Sequence, residues 1–374
     1  MNTENALQLT RDLVGFNTVN PPGNEHPVME QLAGILEAAG FETRLYALSE
    51  TRSNLVAHLG GHADELPLVL TGHIDTVPLG DIHWQFDPFQ GEIDGDRLYG
   101  RGTTDMKAGI AAMTLAALRA AKEPARRRGL TLVYTADEEV GCGGARQLIS
   151  ESLSDFRAGA IVVGEPTSNY PLIGHKGILW AQLETRGISA HASMPEQGDN
   201  AISRMARVIT RIDEQGLAAP TDPILGSGTH NIGTLQAGSN PNLVPNQATM
   251  KIDIRTVPGR TNDETLKALA HLVGDDATIT PLISLESIIT DHKDEWVQRC
   301  FDKLEPILGK RPDPRGATYV TDASVMKPAF GNPPTLVLGP GAPEMAHKTD
   351  EYCSIENLRV SVDVYWEIVY DWCY

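Results

Sequence analysis

Two acidic residues in succession, Glu138 and Glu139, close an apolar run that begins at Leu130 (LTLVYTADEEVG). Neighbouring side chains at the end of a strand point to opposite sides. One carboxylate can therefore bind a cation while the other faces the space beside it. That division suits metal-assisted hydrolysis, in which one carboxylate fixes an ion and the other takes a proton from water. Two adjacent surface glutamates are the commoner meaning of such a pair, so its chemistry depends on what other segments supply.

Four further segments supply donors. Residues 66–78 (LPLVLTGHIDTVP) read as a strand that delivers His73 and Asp75 on one side. A ligating imidazole usually gives its second N–H to a carboxylate or carbonyl, and Asp75 is placed to receive it; a hydrogen-bonded pair in a turn is the plainer alternative. In residues 98–109 (LYGRGTTDMKAG), Gly100 and Gly102 permit a tight loop ending at Asp105, which taken alone reads first as a helix N-cap. Residues 161–167 (IVVGEPT) hold Glu165 at the tip of an apolar strand, before Pro166. Residues 335–352 (TLVLGPGAPEMAHKTDEY) are a strand and a Gly/Pro loop presenting His347. His73, Asp105, Glu139, Glu165 and His347 are too many for one closed tetrahedral zinc but fit two zinc ions sharing a carboxylate. Such a pair can hold a hydroxide and polarise a carbonyl oxygen, with Glu138 as the base.

These residues need elements to position them. A chain of 374 residues is too long for one ordinary core and divides more naturally into two domains. Residues 5–15 and 28–39 have helical apolar spacing, with Gly40 as a stop. Apolar runs at 53–59, 66–71, 130–135 and 160–163 predict buried strands of an α/β sheet, with an Ala-rich helix over 106–121. The candidate ligands fall just past these strands, where open α/β sheets bind ligands. A different texture begins near Lys176. Strands are expected over 177–186, 229–236, 247–256 and 277–284, and helices over 199–214 and 262–273. The first texture resumes from about residue 294. A domain formed by 1–176 and 289–374, interrupted by an α+β domain at 177–288, is therefore expected.

The net charge of -18 speaks against nucleic acid, whose phosphates need Lys/Arg clusters. The short basic run Arg126, Arg127, Arg128 reads as a solvated loop, with phosphate binding as the minority alternative. The first residues (MNTENALQLTRDLVGF) show no secretory signal, and no apolar stretch approaches the roughly 20 residues of a bilayer span. Cys142, Cys300, Cys353 and Cys373 lack C-x-x-C spacing and read as reduced thiols, so the expected compartment is the cytoplasm. Cys142, just after the glutamate pair, is open to a functional role or to packing in a Gly-rich turn.

Together the segments resemble the zinc amidohydrolase family of acetylornithine deacetylase, succinyl-diaminopimelate desuccinylase, carboxypeptidase G and aminoacylase. The ordered motifs TGHIDTVP, GRGTTDMKAG, TADEEVG, GEPT, SAHAS, NLVPNQATMKIDIR and AHKTDEY carry the resemblance over essentially the whole length. It implies an α/β, zinc-exopeptidase-like catalytic domain with a central mixed sheet, an inserted lid or dimerisation domain, and usually a homodimer. It also implies one zinc on His73, Asp105 and Glu165 and a second on Asp105, Glu139 and His347, with cobalt as an alternative ion. Asp75 would stand behind His73, and Glu138 would be the general acid/base on a zinc-bridged hydroxide.

His191, within SAHAS, is implied to polarise the scissile carbonyl, often from the partner subunit. Taken alone it reads more simply as a capping or packing histidine at a turn. Arg255 offers a planar guanidinium for bidentate capture of a carboxylate, the role the resemblance gives it. Asn242 is a substrate-contact candidate that a turn would also explain. Thr321, in ATYVTDASVM, sits where relatives place substrate-contacting residues, and Lys176 is open between hinge and substrate contact.

Two stretches, GEPTSNYPLIGHKG and GPGAPEMAHKTDEY, favour the acetylornithine deacetylase branch. The expected reaction is hydrolysis of N-acetylornithine to ornithine and acetate. The acidic chain mildly favours a cationic amino acid over a dianionic acyl group, although the field of two nearby ions outweighs it. A desuccinylase, another N-acyl-amino-acid deacylase and a dipeptidase or carboxypeptidase are the alternatives among enzymes. A metal-binding scaffold that has lost catalysis is the alternative outside them; a missing ligand or base would mark it, and none is missing. No nucleic-acid or membrane partner is expected.

Overall fold

The computed structural model describes residues 3–62, 65–123, 125–217 and 220–374. Helices α1 (Thr3–Val14) and α2 (His26–Glu37) precede strands β1 (Glu42–Ala47), β2 (Ser53–Leu59) and β3 (Leu68–His73). Helix α3 (Ala108–Ala120), strand β4 (Leu130–Thr135), the short helix α4 (Gly143–Leu148) and strand β5 (Ala160–Val163) follow. Next come β6 (Gly177–Arg186), α5 (Ala201–Gln215), β7 (Thr229–Ala237), β8 (Gln247–Thr256), α6 (Asn262–Val273) and β9 (Thr278–Leu285). The chain closes with α7 (Glu295–Leu308), α8 (Ala323–Ala329), β10 (Thr335–Val337) and α9 (Ile355–Cys373).

Two compact units result. The first comprises the chain through Gly174, Ile289–Arg315 and Thr321–Tyr374; the second comprises His175–Ile288 and Gly316–Val320. Gly316–Val320, which sequence patterning places with the first unit, goes with the second. The Lys176 N–H donates to the Ala317 carbonyl at 3.1 Å, and His175 bridges Ala317 in parallel.

In the first unit a sheet runs in the order β1-β2-β4-β3-β5-β10. Strand β2 is antiparallel to β1 and β4, while β3 runs parallel to β4 and β5, and β10 parallel to β5. The sheet is therefore mixed, and the class is α/β. Strands β3, β4, β5 and β10 are buried at every residue, which is why they read as unbroken apolar runs rather than as alternation. Strand β1, absent from the sequence expectations, is an edge with alternating exposure that pairing to β2 defines. Helix α3 packs between α1 and α9. Its first turn comes so close to the end of β5 that a Cβ on Gly109 would meet the Gly164 carbonyl oxygen at 2.3 Å. The helix begins at Ala108, not 106, because Asp105 and Met106 are non-helical in the preceding turn.

The second unit is an antiparallel sheet in the order β7-β8-β6-β9. Leu179, Ala181 and Leu183 of β6 and Met250, Ile252 and Ile254 of β8 pack against Met205, Val208 and Ile212 of α5 and Leu269 of α6. Helix α5 starts after Asn200, whose extended backbone and side chain cap the Ile202 and Ser203 N–H groups. A capping box of Thr261 and Glu264 starts α6. No helix among the described residues is long and apolar enough to cross a membrane.

Candidate metal centre

The carboxyl ends of β3, β4, β5 and β10 release the chemistry-bearing residues. His73 is the last residue of β3; Glu138 and Glu139 follow β4; Glu165 follows β5; His347 sits on the loop after β10. Asp105 arrives from the turn ahead of α3.

These side chains meet around Asp105. Its Oδ1 lies 3.0 Å from His73 Nε2 and its Oδ2 lies 3.3 Å from His347 Nε2, so one carboxylate is divided between two imidazoles. Glu165 Oε1 is 3.7 Å from His73 Nε2, and Glu139 Oε2 is 3.2 Å from His347 Nε2. All five expected ligands are thus brought together. The two imidazoles differ in setting: the His73 side chain is 1% exposed and that of His347 53%. His347 also has a left-handed backbone, φ 63°.

Two carboxylates brace this set from behind. The Asp75 carbonyl oxygen, at 2.9 Å, is nearer His73 Nδ1 than its carboxylate, at 3.6 Å. That carboxylate instead accepts the Glu138 N–H at 3.1 Å and the Glu139 N–H at 3.3 Å, and so holds the turn that aims the glutamate pair. Asn20 donates to Asp75 at 2.9 Å and to Asp137 at 3.0 Å, and Arg52 ties Asp137 to buried Glu25. Glu351, fully buried, does the same for Asp105. Its Oε1 accepts the Thr104 and Asp105 N–H groups at 2.8 and 3.1 Å, and its Oε2 accepts the Gly102 N–H at 3.0 Å and Arg101 at 2.7 Å. Sequence patterning singled out neither Glu351 nor Asn20. The available signals were a second acid beside the His347 motif and an Asn before a Pro-Pro-Gly turn.

The electrostatics call for cations. Burial pushes the Glu138 and Glu165 carboxyls well above the usual range; neighbouring carboxylates add to this while His73 opposes it. Burial also raises Glu139 and Asp322. Asp105 moves the other way, because hydrogen bonds from His347 and His73 outweigh its burial. Bonds to Asp105 and then Glu139 push the His347 imidazole up to about 10. Glu139 Oε1 is buried with no hydrogen-bond partner. Single ligand atoms of His73, Asp105 and Glu139 lie within 4.8 Å of one another. Crowded imidazole nitrogens and carboxylate oxygens that repel one another and hold excess protons fit divalent cations, which displace such protons on binding.

The remaining expected residues are placed as follows. In the second unit, His191 is exposed; its Nδ1 accepts the Ser193 N–H at 3.2 Å and lies 2.7 Å from Ser193 Oγ. The neutral ring therefore carries its proton on Nε2. The Asn242 carbonyl accepts the Ala192 N–H at 3.0 Å, which brings Asn242 beside His191. Arg255 is paired to Asp253 through two bonds of 2.9 and 3.0 Å. Lys176 Nζ donates to the Ser227 carbonyl at 2.6 Å. Thr321, in the first unit, is fully buried, and its hydroxyl accepts the Ala323 N–H at 3.1 Å.

Beyond this geometry, the sequence profile of peptidase family M20/M25/M40 matches residues 69–371. The chain belongs to peptidase family M20/M25/M40. This M20-family protein is a metal-dependent hydrolase of amide bonds. It is 32% identical over 395 residues to acetylornithine deacetylase of Proteus mirabilis, covering 98% of this chain and 96% of the relative. It is 29% identical over 400 residues to a Staphylococcus epidermidis protein named "Probable succinyl-diaminopimelate desuccinylase", covering 98% of each. Among solved structures, an M20-family metallo-carboxypeptidase from Sulfolobus solfataricus matches with a TM-score of 0.83 at 17% identity, covering 97% of this chain and 98% of the other. That last likeness speaks for the fold.

Proposed function

We propose that this M20-family hydrolase deacetylates N-acetylornithine. His73, Asp105 and Glu165 would hold one zinc ion and Asp105, Glu139 and His347 a second, either replaceable by cobalt. Bound there, they supply Lewis acidity toward a carbonyl oxygen and toward water. Glu138 takes the proton of the attacking water. The water oxygen bonds to the acetyl carbon, the C–N bond breaks, and Glu138 passes the proton to the leaving nitrogen, giving acetate and ornithine. Asp75 keeps His73 in one tautomer and steadies the Glu138 backbone. His191 donates its Nε2–H to the oxygen on which charge develops. Substrate contacts are assigned to Arg255, which takes the amino acid's carboxylate, and to Asn242 and Thr321.

The single observation that carries this reading is Asp105, with one oxygen 3.0 Å from His73 and the other 3.3 Å from His347. A carboxylate split this way suits the shared ligand of two ions. The net charge of -18 and the relative from Proteus mirabilis favour the cationic amino acid ornithine. We assign residues 177–288 to a lid or dimerisation domain of a homodimer, a role supported by the exposed edge strand β7. We also place the enzyme in the cytoplasm, in arginine biosynthesis.

Catalytic efficiencies on N-acetylornithine, N-succinyl-diaminopimelate, N-acetylmethionine and simple dipeptides test the substrate. N-acetylornithine should lead the panel, and a lead for the succinyl compound or the dipeptides would transfer the assignment to those classes. Hydrolysis should vanish with a chelator and return with zinc or cobalt.

A further inference from the structure

Outside the five-ligand set, a second group of donors converges. A carboxylate oxygen of Glu138, Sγ of Cys142 and a carboxylate oxygen of Asp322 lie within 4.8 Å of one another. Local backbone geometry brings the thiol there. Cys142 is left-handed, φ 59°, and its N–H donates to the Glu138 carbonyl at 2.9 Å, so the chain after the glutamate pair curls back. Sγ then lies 3.8 Å from Glu138 Oε1. A tetrahedral zinc with bonds of about 2.3 Å to sulfur and about 2.0–2.2 Å to oxygen sets those two atoms about 3.5 Å apart. The observed separation is a few tenths of an ångström from that value.

Asp322 provides the independent observation. It is 1% exposed, its Oδ2 accepts the Thr135 hydroxyl at 2.5 Å and its carboxylate faces the Cys142 thiol, yet its Oδ1 accepts no hydrogen bond. A buried carboxylate oxygen left so is costly, and a cation would offset that cost. The proposed mechanism uses neither Cys142 nor Asp322. Glu138 is only partly buried, which leaves an approach from solvent. A thiolate with two carboxylates selects soft ions over magnesium, calcium or manganese, and the sulfur separates this group from the all-nitrogen-and-oxygen set around Asp105.

We propose that Glu138, Cys142 and Asp322 form a further cation site for zinc or cadmium, and that filling it inhibits hydrolysis by occupying Glu138. On binding, the thiol proton leaves to solvent and a metal–sulfur bond forms, with no change of oxidation state. The inhibitory half rests on the role of Glu138 proposed above; the binding half does not.

Cadmium titration of the metal-stripped full chain tests both halves. An ultraviolet thiolate-to-cadmium band should grow only after two equivalents are bound, together with a third equivalent of metal. Cys300, Cys353 and Cys373 are buried and join no donor group among the described residues, so Cys142→Ser should abolish the band and the third ion while retaining two. Asp322→Asn, which keeps the thiol, should weaken the third ion by about tenfold or more. Excess zinc should slow the wild type by about tenfold or more and Cys142→Ser far less. If Cys142→Ser does not fold, the wild-type band and Asp322→Asn decide. No band in a chain that binds two cadmium ions and hydrolyses amide would overturn this site alone. A band that persists in Cys142→Ser would overturn it too. Loss of metal binding and hydrolysis altogether would instead sink the reading under Proposed function.

Discussion

The two sheets do different kinds of polar work. Strands β3, β4, β5 and β10 are buried throughout, and the donors leaving their ends are held by backbone bonds to Asp75 and Glu351. The sheet β7-β8-β6-β9 packs α5 and α6, and leaves alternate residues such as Trp180 and a whole edge strand partly or fully exposed. A cation set needs fixed distances and little water, which burial on both faces supplies. The groups proposed to meet a substrate differ in setting: His191 is exposed and Arg255 half-buried in the second unit, while Thr321 in the first is fully buried. Burial therefore characterises the donor-bearing strands of the first unit, and exposure the outward face and edge strand of the second.

The hardest blow to that contrast is Glu138→Ala. Turnover should fall about 10²- to 10⁴-fold with metal content by elemental analysis intact; lost metal would mean that Glu138 and Glu139 exchange roles. His191→Ala should lower kcat about 10²- to 10³-fold without touching metal content. Loss of metal there would put a second-unit residue in the cation set and erase the division of labour. Glu351→Gln keeps the shape but weakens the acceptor for the Asp105 turn. Metal affinity, measured against a competing chelator, should drop about 10- to 100-fold, and an unchanged value would show that the turn stands without its brace.

The smallest effect concerns the second unit alone. Burial lowers the His175 imidazole to about 4, with the carbonyl bond of Lys176 opposing in part. The unfolded ring titrates near 6.5 and takes up a proton that the folded ring refuses. Stability from this group is thus full above about pH 6.5 and is lost as pH falls toward about 4, by about 3 kcal/mol in total. Urea unfolding of His175→Leu across that window should show a shallower loss than the wild type. An equal slope would mean that His175 charges freely in the folded state.

Much of the catalytic unit was legible beforehand because buried strands are written locally. LPLVLTGH and IVVGE end in donors and LTLVYT is followed within four residues by the glutamate pair, and all three are apolar through both faces. Helix starts were less legible. The spacing of 199–214 carries no sign that Asn200 would turn its side chain onto Ile202 and Ser203, nor that Asp105 would break the helix expected from 106. Edge strand β1 escaped because its pairing with β2, not its own composition, makes it a strand.

From its residues alone, this chain determines an α/β unit with imidazoles and carboxylates at strand ends, a donor set suited to metal-assisted hydrolysis, because side-chain periodicity and donor chemistry are local properties; the mixed sheet was implied only by the family resemblance. Tertiary structure alone decided the distances at which Asp105, the shared ligand that the resemblance implies, faces both His73 and His347, that Glu351 would hold its turn, and that the Cys142 thiol would fold back onto Glu138. Those are distances of a few ångströms between groups that packing and backbone turns bring together, and no repeat of two or 3.6 residues encodes them.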